Sequence, residues 1–428
     1  MSDATTNPQP TKTVVKAGRG SDFHISELFF SRTDERGVIQ SGNNVFQRIS
    51  GYTWDELMGS PHKVIRHPDM PKAVFWLLWD QLKAGRPIGA YVKNRTKTGG
   101  YYWVFAVVMP VMGGYLSVRL KPSSEMFETV QGVYADLLEQ EHAHGKDLPP
   151  EESAKRLLKV IKEHGFPNYS AFMARALTQE LMSRDRLRAQ PVDDRLEAFD
   201  DMATAVGEIF VEANALYADF RRIEQIPVNL RLQASRCEAS GGPVSVISAN
   251  YSNLARDALA FASRFTQFGE KVLEQISMGL FLMGAARLQR EMVMVFENED
   301  GSDSPVDHQR EMGSLSAHQT RCGEMSRDTI VSIRDQAESF IEDSRRMRRF
   351  VGGLDVTRVT CRIETGWLPD ADGGFHDIIN KLDAFHEDVE RRMKRIDALN
   401  DNIIDRTSAL LNRSKPKTEA ARAVIAAE

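Results

Sequence analysis

The sequence predicts an α+β domain at its N-terminal end followed by an all-α, coiled-coil-like helical bundle. Three observations carry that reading. Residues 91–120 contain three runs rich in β-branched and aromatic residues, parted by the turns Gly99-Gly100 and Gly113-Gly114, which is the pattern of an antiparallel meander. Beyond Pro191, apolar residues recur in steps of three and four through long stretches of mixed charge, the mark of amphipathic helices packed side by side. The chain has 428 residues, which suggests two or three domains rather than one.

In chain order, residues 1–22 are polar and rich in Thr, Pro and Lys and read as a disordered tail. Gly37-Val38-Ile39-Gln40 reads as a short strand, and Asn43-Asn44-Val45-Phe46 opens a helix that ends near Ser50-Gly51-Tyr52-Thr53. Then comes Arg66-His67-Pro68-Asp69-Met70-Pro71. Its two prolines forbid a regular helix, because each lacks an N–H and restricts the residue before it. The result is a stiff loop presenting a guanidinium, an imidazole and a carboxylate together, and Pro71 suits the first turn of the helix that follows. Ala73 to Leu82 carries apolar residues at helical spacing and stops at Ala84-Gly85. Tyr91–Arg95, Tyr101–Met109 and Tyr115–Leu120 supply the meander. The order is two strands, short helices, one longer helix and three strands, which resembles a PAS domain: a five-stranded sheet that holds a ligand beneath its helices.

Ile49-Ser50-Gly51-Tyr52-Thr53, Pro61-His62, the Arg66–Pro71 string, Val92-Lys93-Asn94-Arg95, Gly100-Tyr101-Tyr102-Trp103 and Ser117-Val118-Arg119 sharpen the likeness. Over residues 25–140 they resemble, in order and spacing, the flavin-binding PAS domain of the Aer-type aerotaxis receptor family. The resemblance implies non-covalent FAD, with flavin contacts at Asn43, Arg66, His67, Asp69, Trp79 and Tyr102. The sequence departs from the family at Ile88-Gly89-Ala90, where a Trp is usual, and at Gly113-Gly114, where the last hairpin is shorter. The chemistry agrees with the implied cofactor. A pyrophosphate suits the forked guanidinium of Arg66. Trp79 shares a helix with Phe75 and Leu82, so it serves equally as core or as a wall beside a flat ring. Tyr102 and Trp103 alternate on a strand, so only one of them faces the pocket, and the family favours Tyr102.

Lys121-Pro122 closes the sensor, read as residues 23–122. A connector follows over 123–190. Met126, Val130, Val133, Tyr134, Leu137 and Leu138 form one face of a helix leaving the sensor, and two further helices are broken at Gly165-Phe166-Pro167. His142-Ala143-His144-Gly145 lacks a third ligand nearby and reads as linker rather than metal site. The bundle spans 191–412 as two helical hairpins, 191–297 and 309–412, separated by an acidic Gly/Ser loop, and 413–428 is a loose tail. Each hairpin breaks at a similar motif: Asn229-Leu230-Arg231-Leu232 with Glu238 to Gly242, and Thr357 to Thr365 with Gly373-Gly374. Both breaks distantly resemble the tip of bacterial chemoreceptors, which implies a duplicated, single-chain derivative of a receptor signalling hairpin.

A formal net charge of −5 gives no reason to expect nucleic acid. No run of about 18 apolar residues marks a membrane span, and no signal-peptide core is present, so a cytoplasmic protein is expected. The three cysteines, Cys237, Cys322 and Cys361, form no metal-ligand spacing, and no catalytic constellation or Walker loop appears. The expected function is that of a non-enzymatic redox or oxygen sensor that binds FAD and signals through its helical module to a protein partner or a second copy. The alternative is a scaffold whose PAS domain dimerises or binds another small ligand.

Overall fold

The computed structural model describes residues 23–142, 148–237, 242–299, 304–366 and 374–413. The expected tail at 1–22, the C-terminal tail past Arg413, most of the His142–Gly145 linker, and residues 238–241 and 367–373 of the two breaks lie outside the described residues. The chain divides into two compact units. The first comprises Met1–Tyr169, Gln179–Pro191 and Arg287–His318; the second comprises Ser170–Thr178, Val192–Ala286 and Gln319–Glu428.

The first unit is built on a five-stranded antiparallel sheet. Strands β1 (Leu28–Asp34), β2 (Ile39–Gly42), β3 (Ile88–Arg95), β4 (Tyr101–Val111) and β5 (Gly114–Leu120) lie in the order β2-β1-β5-β4-β3. Between β2 and β3 run α1 (Asn44–Ser50), α2 (Trp54–Leu57), a 3₁₀ turn (His62–Ile65) and α3 (Lys72–Lys83). Two strands exceed their sequence expectation. Ile88-Gly89-Ala90 extends β3 because these residues find partners in Val108, Val107 and Ala106 of β4. Pro110 is tolerated in β4 because it lies beyond Val108, the last residue to pair with β3, where β4 has a single neighbour. The short β4–β5 hairpin needs its second glycine: a Cβ on Gly114 would sit 1.9 Å from the Thr33 carbonyl oxygen.

Register fixes the faces, because successive strand residues alternate sides. Ser31 pairs with Ser117 and Thr33 with Tyr115, while Ala106 pairs with Arg119 and Val108 with Ser117. These residues share one face, which α3 covers. The opposite face carries Phe30, Arg32, Tyr91, Trp103 and Phe105. On it, α4 (Glu125–His142) lays Phe127 and Tyr134 against Tyr91 and Trp103. The start of α6 (Tyr169–Leu187) adds Tyr169, whose hydroxyl donates to the Gly89 carbonyl at 2.9 Å. Between them in the chain, α5 (Pro150–Glu163) packs chiefly against α3.

Two buried carboxylates order these helices. Glu180 of α6 accepts from the Tyr91 hydroxyl, the Ser124 hydroxyl and the amides of Ser123 and Ser124, and so caps the start of α4. Glu141 near the end of α4 accepts from the amides of Lys72 and Ala73, capping α3 from another element.

The second unit is helical. It holds α7 (Asp194–Ile223), α8 (Ile226–Cys237) and most of α9 (Pro243–Asn298), α10 (His308–Thr365) and α11 (Gly374–Arg413). The stripes expected from sequence are its core: Phe220 meets Phe385 across α7 and α11 at 5.3 Å, and Phe268 stacks on Phe340 across α9 and α10 at 4.0 Å. Gly279 of α9 lets Phe199 of α7 and Thr329 of α10 approach within about 3 Å of where a Cβ would stand. The motif residues Asn229–Cys237 and Thr357–Thr365 are helical.

Candidate functional site: a cavity between the sheet and α3

The space between the sheet and α3 is a cavity of about 280 Å³. Its walls are apolar: Phe75, Leu78, Trp79 and Leu82 from α3, and Val92, Ala106 and Val108 from the strands. Helical spacing puts the four α3 residues on one stripe. Gly37, in a turn with φ +77°, lets the Trp79 indole lie where a Cβ would stand 3.0 Å from the ring. Tyr115 meets the same indole edge-on at 5.6 Å.

The polar floor lies on β1 and β5. The Arg119 guanidinium is buried; its Nη2 donates to the Ser31 hydroxyl at 2.6 Å and stands 2.7 Å from His62 Nε2. Arginine has no lone pair to offer, so Nε2 is the acceptor and His62 is neutral. Burial, then the Arg119 charge, push the His62 imidazole down to about 3, and burial lowers Arg119 to about 10. Of the cavity lining, Arg119 Nη1 and Ser117 Oγ are buried with no hydrogen-bond partner among the described residues, and the Tyr102 hydroxyl on the same face of the sheet is in the same state. An unsatisfied buried polar atom costs on the order of 1–3 kcal/mol, so each calls for an explanation. The rim adds Arg36, Lys63 and Arg66. Among the described residues lining the cavity there are four cationic side chains and no carboxylate. A flat ligand bearing hydrogen-bonding heteroatoms and negative charge matches this donor set, and a flavin nucleotide is such a ligand.

The six residues expected from sequence fall into distinct places. Arg66 and Trp79 line the cavity. The Arg66 guanidinium lies 3.7 Å over the Phe75 ring, and burial pulls its pKa down while the Glu141 charge opposes this. His67 and Asp69 sit outside the lining. His67 meets Tyr101 edge-on and accepts from the Asp69 amide, and burial followed by the Lys93 charge depress its imidazole. Asp69 is 59% exposed and bonds Lys93 at 2.8 Å. Burial pushes its carboxyl up, but the Lys93 hydrogen bond and charge hold it below the ordinary value. Tyr102 points to the cavity side, as the alternation requires, and stacks on Phe29 at 5.5 Å; burial raises its hydroxyl pKa. Trp103 takes the other face against Phe127. Asn43 is the buried N-cap of α1. Its Oδ1 accepts from Phe30 N and Phe46 N and its Nδ2 donates to the Leu28 carbonyl, so its amide ties α1 to β1.

Ser31, His62, Asn94, Ser117 and Arg119 also line the cavity; all but Ser31 stand in the motif strings quoted from sequence, but none of the five was assigned there as a flavin contact. The signal was present: Tyr115, Ser117 and Arg119 alternate on one face of a strand, and a serine and an arginine there had no partner in the pattern.

Comparison with known proteins bears on this region. The PAS fold family matches residues 41–114. The aerotaxis receptor of Escherichia coli (strain K12) is 43% identical over 112 residues, which are 25% of this chain and 22% of that protein. The chain thus matches about a fifth of that relative's length. Among solved structures, a light-oxygen-voltage domain studied with a flavin analogue matches at 18% identity and TM-score 0.23, over 26% of this chain and 89% of that one. The light state of the Aureochrome1 LOV photoreceptor matches at 20% identity and TM-score 0.22, over 25% and 90%.

Proposed function

Starting from an N-terminal PAS domain of the Aer type, we propose that this protein is a sensory signal transducer that binds FAD non-covalently and passes its redox state to the helical module. The observation that carries the reading is the pair of unsatisfied donors, Arg119 Nη1 and Ser117 Oγ, in an aromatic cavity with a cationic rim. Bound flavin supplies a ring whose protonation changes with its redox state. Arg119 and Ser117 would hold the polar edge of such a ring, Trp79 and Phe75 would wall its flat side, and Arg66 would take the phosphates. The neutral His62 fixes Arg119 from behind. A change in what Arg119 can donate to then re-weights two arrangements of the sheet, and a hydrogen bond or two is enough when those arrangements differ by a few kcal/mol.

His67 and Asp69 form the polar loop behind Arg66, and we assign them to the cofactor by likeness to the aerotaxis receptor. Glu141, near the end of α4, links the connector to the cavity helix. The helical unit is the output, a derivative of a receptor signalling hairpin that engages a protein partner or a second copy.

Purification tests the reading. The wild-type protein carries flavin absorption bands, or acquires them with FAD, and Arg66→Ala and Arg119→Leu lose them. A colourless wild type that FAD cannot reconstitute would overturn the cofactor and leave an interaction module with a different ligand.

A further inference from the structure

Strand β1 has the cavity on one face and a bend of the helical chain on the other. Ser31 and Thr33 line the cavity, and Ser31 accepts from Arg119. The residues between and beside them, Phe30 and Arg32, turn the other way. There they meet the segment where α9 ends at Asn298 and α10 begins at His308. This elbow belongs to the same compact unit as the sheet.

Four contacts fasten it. The Arg32 guanidinium forks onto the Glu311 carboxylate, with Nε at 3.0 Å from both oxygens and Nη2 at 2.7 Å from one; the Glu311 side chain is 2% exposed. Phe30 meets Phe296 edge-on at 5.1 Å. Phe296 in turn packs on His308 at 5.0 Å. The Asn44 amide, at the start of α1, donates to Glu299 Oε1 at 2.6 Å. Its neighbour Asn43 bonds β1 directly through Phe30 N and Leu28 O. Both ends of the elbow therefore rest on β1 or on its immediate attachment.

We propose that the α9–α10 elbow is the receiver of the cavity's state, with β1 as the transmitting strand. This deepens the reading above and rests on a ligand occupying the cavity. A ligand that draws Arg119 toward its own acceptors weakens the Arg119–Ser31 bond on one face of β1. The strand then settles differently, and the Arg32–Glu311 fork and the Phe30–Phe296 contact on the other face feel the shift. A forked charge pair depends steeply on geometry, so it converts a small strand movement into a large change in contact strength. The elbow joins the two longest helices, of 56 and 58 residues, so whatever moves it acts on both. Linkage is reciprocal: if the ligand changes the elbow, the elbow changes the ligand's affinity by the same factor.

The test uses the full purified chain and FAD, with Glu311→Gln and Arg32→Leu outside the cavity and Tyr134→Phe as a buried variant elsewhere in the unit. The expected result is a shift of about fivefold or more in FAD affinity for both elbow variants and none for Tyr134→Phe, the low end of ordinary coupling. Amide exchange over residues 294–311 should also change on adding FAD to wild type, and this response should vanish in Glu311→Gln. Affinities within twofold together with an unresponsive elbow overturn the route while leaving FAD binding intact. If FAD does not bind, the reading of the cavity fails and the route is judged by Ser31→Ala in the ligand-free chain. That variant must alter exchange at 294–311; an unchanged elbow overturns the proposal on its own.

Discussion

The two faces of the sheet bury polar groups in opposite ways. On the outer face the tyrosine hydroxyls are answered: Tyr91 by Glu180, Tyr134 by the Tyr91 carbonyl, Tyr169 by the Gly89 carbonyl. On the cavity face Arg119 is held by Ser31 and His62, yet one of its nitrogens and the Ser117 hydroxyl have no partner among the described residues. The tyrosines of the outer face are satisfied within the chain, whereas the cavity lining keeps a guanidinium nitrogen and a hydroxyl that no described residue satisfies. Burial alone does not separate the two, since Ser117 and Arg119 are as buried as Tyr134; the hydrogen-bond inventory does.

Substitutions test this contrast, and the largest effect belongs to the outer face. Glu180→Ala strips the acceptor from Tyr91 and from the start of α4, and should cost about 3 kcal/mol or more in urea unfolding, because several donors are orphaned at once. A loss under about 1 kcal/mol would mean that water replaces the carboxylate there.

Next comes acidity. The His62 imidazole titrates near 6.5 in the unfolded chain and about 3 in the fold, so the unfolded state takes up the proton first as pH falls. Its contribution to stability is complete above about pH 6.5 and is lost progressively toward pH 3. His62→Gln, which keeps an acceptor for Arg119, should flatten the fall in unfolding free energy between pH 6.5 and 4.5, measured by urea titration at each pH, by an amount on the order of a few kcal/mol. Identical pH profiles would show that His62 is already protonated beside Arg119.

A smaller effect separates two residues that the sequence grouped together. Asn43→Ala removes a helix cap and two bonds to β1, for a loss of about 2 kcal/mol with FAD affinity retained in whatever fraction stays folded. Arg66→Ala, half-buried at the rim and stacked on Phe75, should lower FAD affinity at least tenfold with little change in unfolding midpoint. A reversal of these two outcomes would return Asn43 to the ligand shell. Smallest is Ser117→Ala. An unpaired hydroxyl contributes nothing to the ligand-free fold, so stability should stay within about 0.5 kcal/mol or rise, measured by the same urea titration.

The comparison also marks what was legible in the sequence. Four of the five strands, the α3 stripe and the long helices were readable, the strands from β-branched and aromatic runs between glycine turns and the helices from period 3.6, whereas β1 (Leu28–Asp34) was implied only by the PAS resemblance. Arg66 and Trp79 were readable as cavity residues, one from its loop chemistry and one from its helical stripe. Asn43 was harder: its cap position was implicit in the Asn43-Asn44 helix start, but its bonds to Phe30 and Leu28 arise only when β1 lies alongside. Arg119 and Ser117 were hidden for the same reason. A strand residue's role depends on which neighbour it pairs with, and the β1–β5 pairing joins segments more than eighty residues apart. The elbow at 296–311 is the extreme case, since Arg32 and Glu311 are 279 residues apart in the chain.

The most direct measurement is the thermal midpoint of the purified chain with and without FAD, in wild type and in the double variant Ser117→Ala, Arg119→Leu. If the open donors of the cavity face exist for the cofactor, FAD at a hundred times its dissociation constant stabilises the wild type by about 2.7 kcal/mol, a rise of several degrees, and leaves the double variant unmoved. A wild type whose midpoint ignores FAD, or a double variant that responds equally, would contradict the account.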